Sequence, residues 1–126
     1  MELKIQDLCV RFSTPSGEIP AVNHVSLTFS PDTVTGIIGE TGSGKSVLGL
    51  SILGLLQSNA AVSGKIFLGE RELTALSQRE LCQVRGRDIA LVAQNPATSL
   101  NPSLRVGRQI EEVFRLRGER RAQRRA

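Results

Sequence analysis

One octapeptide constrains this chain more than any other feature. Residues 39–46 fit the pattern of Gly, four residues and Gly-Lys-Ser at every fixed position. A short apolar run, Val34–Ile38, precedes the octapeptide, and a longer one, Val47–Leu56, follows it, which predicts the order strand, loop and helix. Such a loop can enclose phosphate groups because glycines let backbone N–H groups approach closely and the helix adds its positive end. The octapeptide therefore predicts binding of a nucleoside triphosphate.

The expected roles within this loop differ from residue to residue. Lys45 is expected to reach the β- and γ-phosphates, and the Ser46 hydroxyl is expected to ligate Mg²⁺. The alternative is a Gly/Ser-rich turn that fits a short pattern by chance, and the flanking apolar runs count against it. The predicted ATP-binding residues of the loop and the helix start are Gly39, Glu40, Thr41, Gly42, Ser43, Gly44, Lys45, Ser46 and Val47.

Composition excludes several classes of protein. The chain has 126 residues, with 40% hydrophobic and 22% charged residues, as in ordinary globular domains. No apolar run approaches the roughly 20 residues that a membrane-spanning helix needs. The N-terminal residues carry no secretory signal pattern, so exposure to the cytosol is expected. Cys9 and Cys82 lie far apart among apolar neighbours, and they are predicted to be buried free thiols.

Positive charge is concentrated at the C-terminal end. The net charge is +4, but residues 115–126 contain six arginines and one acid, so the remainder of the chain is close to neutral. Such a segment can bind nucleic acid through phosphate contacts, or it can form the solvated face of a helix. No aromatic residues interleave with these arginines, and the chain has no Trp or Tyr. The solvated helix is therefore favoured, and no nucleic-acid partner is expected.

Alternating apolar residues predict a hairpin at the N-terminus. Its strands cover residues 2–12, with a bulge around Asp7, and residues 21–29, and a turn lies between them at Ser13–Glu18. Ser77 and Glu80 form a capping-box pattern that starts a short helix ending near residues 85–86. The other predicted elements are a strand at 34–38, a buried helix at 45–56, strands at 64–68 and 89–93, and a helix from Val106 to about Gly118.

A glutamine at the end of an apolar strand brings in a family resemblance. Gln94 opens the segment Gln94–Pro102, which is followed by Val-Gly-Arg-Gln-Ile at residues 106–110. Together with Ala21–Leu27 and the sequence of the phosphate loop, this segment resembles the ATP-binding subunit of ABC transporters, in the oligopeptide, dipeptide and nickel importer branch. The resemblance covers essentially the whole chain. The loop alone is shared by many NTPases, whereas the Asn-Pro segment is more selective.

The resemblance implies an α/β fold of the P-loop NTPase (ABC ATPase) class, incomplete in this chain. It implies an N-terminal antiparallel β region at 1–33, part of the P-loop core at 34–95 and the start of the helical subdomain at 96–126. Gln94 is expected to serve Mg²⁺ and the attacking water, because its amide can both donate and accept. Phe12 is expected to stack on adenine, with a core phenylalanine as an equal alternative.

Other features of the family do not occur in these 126 residues. There is no aliphatic run ending in Asp-Glu, no Leu-Ser-Gly-Gly-Gln signature and no switch histidine, since the only histidine, His24, is upstream in the β region and is interpreted as structural. We therefore expect the chain to correspond to the first part of the domain and to be marginally stable on its own. We also expect it to bind ATP weakly and not to hydrolyse it.

The resemblance also implies partners and a location. It implies an importer of peptides, nickel or a related solute, with ATP and Mg²⁺ as cofactors. The expected partners are a second ATP-binding subunit, permease subunits that contact the loop after Gln94, and indirectly an extracytoplasmic solute-binding protein. The expected location is the cytoplasmic face of the cell membrane, as a peripheral subunit. The alternatives are another P-loop NTPase, such as a kinase or GTPase, and a nucleic-acid binder that uses the arginines.

Overall fold

The computed structural model describes residues 1–92, 94 and 100–116. These residues fall into two compact units, Met1–Leu81 and Cys82–Ala126. The first unit contains the phosphate loop, and the second contains Gln94. The subdivisions expected at residues 33/34 and 95/96 stay predictions.

A four-stranded sheet in the order β2-β1-β3-β4 forms the framework of the first unit. All neighbouring strands are antiparallel. The predicted antiparallel hairpin is confirmed, although its strands are longer and its turn is shorter than expected. The third strand also begins four residues earlier than predicted. The strands are β1 at Leu3–Thr14, β2 at Gly17–Phe29, β3 at Ala60–Leu68 and β4 at Arg71–Glu72.

The predicted bulge at Asp7 is confirmed. Asp7 has a φ of 49°, and the register between β1 and β2 shifts between Ile5 and Leu8. Both of these apolar side chains are buried, although they are three positions apart, because the bulge resets the alternation of the strand. On β3, Gly64 lies beside the bulge with a φ of 93°, and a side chain there would collide with the Asp7 carbonyl oxygen. The bulge therefore depends on a glycine in the neighbouring strand.

His24 completes this bulge from the side of β2. Its Nδ1 atom lies 2.7 Å from Asp7 Oδ1, and its backbone N–H donates to the sulfur of Cys9 at 3.2 Å. These contacts place His24 in the sheet, in agreement with its interpretation as a structural residue. Cys9 is a buried free thiol, as predicted. Cys82 is also a free thiol, but its predicted burial was wrong, because it occupies an exposed position of its helix.

The first helix, α1, covers Lys45–Ile52 and is shorter than the predicted 45–56. It ends early because Gly54 takes a left-handed conformation, with a φ of 60°. Only Leu48 and Ser51 of the helix are buried, so the prediction of a helix buried nearly all round was wrong for the described structure. The buried apolar residues of the first unit are Ile5, Leu8, Cys9, Val10, Val22, Leu48, Leu53, Ile66, Leu68, Leu73 and Leu81, and Val84 is buried in the second unit.

A 3₁₀ turn at Leu73–Ala75 leads from the sheet to the second helix, α2, at Gln78–Val84. The capping box predicted for α2 is confirmed. The Ser77 backbone N–H donates to Glu80 Oε2 at 2.8 Å, the Ser77 hydroxyl donates to the same oxygen at 2.6 Å, and the Glu80 N–H points back to Ser77 Oγ at 3.4 Å. The helix ends just before Gly86, which has a φ of 77°. Two side chains thus fix the start of α2.

Two predicted strands do not form. Residues 34–38 have no strand partner, and of the described part of 89–93 only Ile89 makes a bridge, with Arg85. Val34, Ile38 and Val92 are consequently 103%, 98% and 91% exposed. An apolar strand with two buried faces needs ladder partners on its edges and layers on its faces, and the described residues do not supply them. Ala93 lies outside the described residues.

The third helix, α3, covers Val106–Leu116 and begins where the sequence predicts. Its predicted end at Gly118 and the arginines beyond residue 116 lie outside the described residues. Among the residues that the structure describes, no helix is long and apolar enough to cross a membrane.

The exposed segment 34–38 predicts self-association of the isolated chain. Changing Val34 and Ile38 to serine should raise the monomeric fraction several-fold, because contiguous exposed apolar residues with unpaired backbone groups drive intermolecular pairing. The matched control is the double variant Ile19→Ser and Leu55→Ser, which removes two exposed apolar residues outside that segment. Sedimentation velocity gives the monomeric fraction. Equal profiles for the two double variants, or a single cooperative melt from monomeric unmodified chain, would contradict the prediction.

The capping box predicts how the stability of the folded chain changes at acidic pH. Hydrogen bonds from the hydroxyl and the backbone N–H of Ser77 lower the pKa of the Glu80 carboxyl below its ordinary value of 4.5. A lowered folded-state pKa stabilises the folded chain above the ordinary value, and this contribution is lost as the pH falls through the folded-state pKa. Ser77→Ala should move the Glu80 pKa upward in a ¹³C NMR titration. The control Ser58→Ala, at an exposed turn, should leave the Glu80 pKa unchanged. An equal Glu80 pKa in the two variants would contradict the capping box.

Candidate phosphate-binding site

The octapeptide forms a tight loop that runs directly into α1. Gly42 and Gly44 have φ values of 84° and 88°, a region that residues with a Cβ rarely adopt. Within the loop, the Ser43 N–H donates to the Glu40 carbonyl at 3.2 Å, and the Leu48 N–H donates to the Gly44 carbonyl at 2.8 Å as the first bond of the helix. Two of the three glycines of the octapeptide, Gly42 and Gly44, therefore occur where the backbone takes a left-handed conformation.

The loop rests on the second strand of the sheet. A Cβ added to Gly44 would overlap the Ala21 carbonyl oxygen and would lie 3.6 Å from Val22 Cγ2. The absence of a side chain thus lets the loop backbone touch the backbone of β2. Val22 is buried and pairs with Val10 of β1, so the contact ties the loop to the central strand of the sheet.

Lys45 folds back across its own loop. Its Nζ donates to the Gly39 carbonyl at 2.8 Å, to the Glu40 carbonyl at 2.6 Å and to Ser43 Oγ at 3.1 Å. The three donors of the ammonium group are therefore all used by uncharged oxygen atoms of the loop. This arrangement places a positive charge inside the ring of backbone that the pattern predicts to hold phosphate.

The N-terminal end of α1 adds positive potential at the same place. The helix starts at Lys45, has no side-chain cap at Gly44 and has no acidic residue in its first turn. The N–H groups of a helical first turn have no partner within the helix, and together they carry a partial positive charge. Ser46 lies in this first turn and is exposed. Backbone N–H groups, the lysine ammonium and a serine hydroxyl thus occur within one short segment, and this combination suits a polyphosphate.

Phe12 lies in the same unit, on the central strand. It pairs with Ile19 of β2 and Ala60 of β3 and is half-buried. Phe12 follows the fully buried Val10 by two positions, and residues so spaced share one face of a strand. The sheet that supports the loop therefore also carries the ring, and stacking on adenine stays a prediction.

Gln94 belongs to the second unit, where it is exposed at a bend. Its predicted role beside Mg²⁺ stays a prediction. The residues that follow it, 95–99, lie outside the described part of the chain. Among residues 1–92, 94 and 100–116, no group of three His, Cys, Asp or Glu side chains is placed to hold a metal ion. The predicted metal ligands remain the Ser46 hydroxyl and the Gln94 amide.

A separate hollow of about 240 Å³ lies between the end of α1 and the start of α2. Apolar side chains such as Ile52, Leu73 and Leu81 line much of it, and none of residues 39–46 does. None of its lining residues is Lys or Arg, so it offers no cation to a phosphate. The chemistry of the site therefore lies at the loop and not in this hollow.

Sequence reasoning missed the supports of the loop. No motif marks Ala21 and Val22 as the seat of Gly44, since the contact is made by backbone atoms that any residue could supply. The role of Ser43 as an acceptor for Lys45 was also missed. The signal in the sequence was the glycine at position 44 itself, because a residue without a Cβ often marks a close approach of two backbones.

The family of the chain is shown by comparison with known proteins. The family described as ABC transporter matches residues 22–126. The chain therefore belongs to the ABC transporter family, and this membership implies nucleotide binding.

Two relatives indicate which branch of the family the chain resembles. The chain is 42% identical over 114 residues to the oligopeptide transport ATP-binding protein OppD of Salmonella typhimurium, an alignment that covers 90% of this chain and 34% of that protein. It is 44% identical over 115 residues to a putative peptide import ATP-binding protein of Brucella abortus, covering 90% and 35%. The chain thus spans about a third of the length of these curated relatives. The resemblance to the ATP-binding subunits of peptide importers is confirmed.

A solved structure supports the fold class. A dimeric structure of a bacterial ABC transporter cassette superposes with a TM-score of 0.83 at 22% identity, over 98% of this chain and 52% of that chain. The fold is therefore that of an ABC ATPase cassette, present in part, and the predicted fold class is confirmed.

The close contact between the loop and β2 predicts that two glycine substitutions change the free energy of unfolding in opposite directions. Gly44→Ala should lower the free energy of unfolding by about 2 kcal/mol or more, since a Cβ there meets a strained φ and a backbone oxygen. Gly49→Ala, in the interior of α1 with no atom near its Cβ, should raise it by about 0.5–1 kcal/mol. Urea unfolding of both variants measures the difference. A Gly44→Ala variant as stable as Gly49→Ala would refute the close contact.

Proposed function

We propose that the chain provides the phosphate-binding part of the ATP-binding subunit of a peptide importer. The observation that carries the proposal is the Lys45 ammonium inside a glycine loop at the start of α1, in a chain of the ABC transporter family. Peptides are the proposed solute because the relatives described above are named for oligopeptide or peptide import. Nickel, expected from sequence as an alternative, is not in those names.

The residues of the loop divide the work of holding ATP. Backbone N–H groups of residues 39–47 surround the phosphate chain, and the first turn of α1 contributes its partial positive charge. Lys45 exchanges the Gly39 and Glu40 carbonyls for β- and γ-phosphate oxygens, which accept hydrogen bonds from an ammonium more strongly than neutral carbonyls do. Phe12 is the proposed contact for adenine.

Ser46 and Gln94 are the proposed ligands of Mg²⁺. A hydroxyl oxygen and an amide oxygen are hard ligands, and they fit a cation that also takes oxygen atoms from the substrate phosphates. When bound, Mg²⁺ neutralises negative charge on the β- and γ-phosphates. Ser46 lies exposed in the first turn of α1, next to the lysine that reaches the same phosphates. The Gln94 amide has both a donor and an acceptor, so it can also orient a water.

The proposed partners follow from the importer assignment. A second ATP-binding subunit would supply the other half of a shared ATP site, and permease subunits would contact the segment after Gln94. A solute-binding protein would deliver the peptide from outside. The proposed place of the subunit is the cytoplasmic face of the cell membrane. The 126-residue chain contains no Asp-Glu pair after an aliphatic run, so we expect it to bind ATP weakly and not to hydrolyse it alone.

Nucleotide binding is tested with two lysine variants. Lys45→Ala should weaken Mg-ATP binding about 10- to 100-fold, because hydrogen bonds to charged groups contribute roughly 1.5–3 kcal/mol. The control Lys65→Ala removes an equal charge from an exposed pair with Glu72, 3.5 Å away, and should bind ATP normally. Titration calorimetry measures both affinities, and competition with GTP distinguishes an ATP site from that of a GTPase. Equal affinities for the two variants would refute the proposed site.

A companion measurement tests the prediction that the isolated chain is inactive. Phosphate release from the 126-residue chain should stay at the background rate. Steady ATP hydrolysis that disappears in Lys45→Ala would show that the chain carries its own catalytic groups.

A further inference from the structure

The side chain of Gln109 joins α3 to the turn that precedes it. Gln109 Nε2 donates to the Asn101 carbonyl at 3.0 Å and to the Leu104 carbonyl at 2.9 Å. Its Oε1 accepts the Asn101 backbone N–H at 2.9 Å. One amide thus uses both of its N–H donors and its oxygen on the backbone of a segment five to eight residues earlier in the chain.

The turn held by Gln109 is itself well hydrogen-bonded. The Ser103 N–H donates to Asn101 Oδ1 at 2.9 Å, and the Leu104 N–H donates to the Asn101 carbonyl at 3.2 Å. The N–H groups of Arg108 and Gln109 both donate to the Arg105 carbonyl, which starts the helix. Turn and helix are therefore linked by hydrogen bonds, and we call residues 101–105 the clamped turn.

The clamped turn keeps its shape with little help from apolar packing. Leu104 is 36% exposed, and Leu100, just before the turn, is 44% exposed. An exposed segment without a buried core normally samples many conformations, and ordering it on contact with a partner costs conformational entropy. Three hydrogen bonds from one side chain reduce that cost in advance. A preorganised, partly apolar surface element is suited to a protein partner.

We propose that Gln109 is a positioning residue that holds the clamped turn in the shape required for contact with the permease. This proposal rests on the proposed function, which places permease subunits at the segment after Gln94. The clamped turn follows that segment closely in the sequence, since only residues 95–100 separate it from Gln94. Gln109 acts through the turn, and it does not touch nucleotide in this proposal.

The chemistry of the Gln109 amide predicts how strongly each substitution weakens the hydrogen bonds of the clamped turn. Gln109→Met keeps a long, unbranched side chain with good helix propensity but loses all three hydrogen bonds. Gln109→Glu keeps an acceptor for the Asn101 N–H but places a carboxylate against two carbonyl oxygens, so it should be at least as damaging as methionine. The control is Glu112→Gln on the same helix, whose exposed ion pair with Arg115, at 3.5 Å, should contribute little.

The experiment uses the ATP-binding subunit of which this chain is proposed to be a part, together with its permease, reconstituted in proteoliposomes. The concentration of subunit that gives half-maximal permease-stimulated ATPase should rise about tenfold in both Gln109 variants, since each lost hydrogen bond contributes up to about a factor of ten. Affinity for ATP and the maximal rate at saturating subunit should stay within about twofold. Hydrogen exchange at the Asn101 N–H should accelerate by about tenfold, and exchange at Val10 in β1 should not change.

Each alternative outcome has a defined meaning. Faster exchange at Asn101 with unchanged dependence on permease would show that Gln109 only caps the helix, and it would overturn the proposal while leaving the proposed function intact. Unchanged exchange at Asn101 would overturn it as well, as would a Glu112→Gln variant equal to Gln109→Met. If the unmodified subunit neither binds ATP nor responds to the permease, the proposed function fails, and the proposal fails with it.

Discussion

The contact between Gly44 and the backbone of β2 is the interaction on which the site depends. It sets the position of the phosphate loop relative to the sheet, and it leaves no room for a side chain at that point. Because Gly44 is also the N-cap residue just before α1, the same contact helps to fix the position of the helix N-terminus. The sheet, the loop and the positive end of the helix thus meet at a close approach of two backbones.

Patterns with a local cause were predictable from sequence. The hairpin, the bulge at Asp7 and the capping box of Ser77 and Glu80 each depend on residues that are near in the sequence or paired by alternation. The phosphate loop was equally predictable, because glycines and a lysine at fixed spacing have few other uses. The fold class followed from the wider resemblance, which the Asn-Pro segment after Gln94 made more selective.

Features that depend on distant partners were not predictable. Residues 34–38 and 89–93 have the composition of buried strands, yet composition does not provide the neighbours that complete a ladder, and Val34 and Ile38 are exposed. The helix α1 was expected to be buried on all sides, but a helix is buried only where other elements cover it. The contact between Gly44 and the Ala21 carbonyl could not be predicted for a related reason, since every residue has a carbonyl oxygen.

The lysine of the loop has a consequence for ligand selection. Its ammonium already has three oxygen partners, all of them neutral, so an incoming molecule competes with an internal ligand and not with water alone. A neutral hydroxyl or amide would gain almost nothing from that exchange. An anionic oxygen forms a stronger bond to the same ammonium and can displace the carbonyls. We therefore expect the folded-back lysine to favour ligands whose negative charge is large enough to replace the contacts that Lys45 makes within the loop.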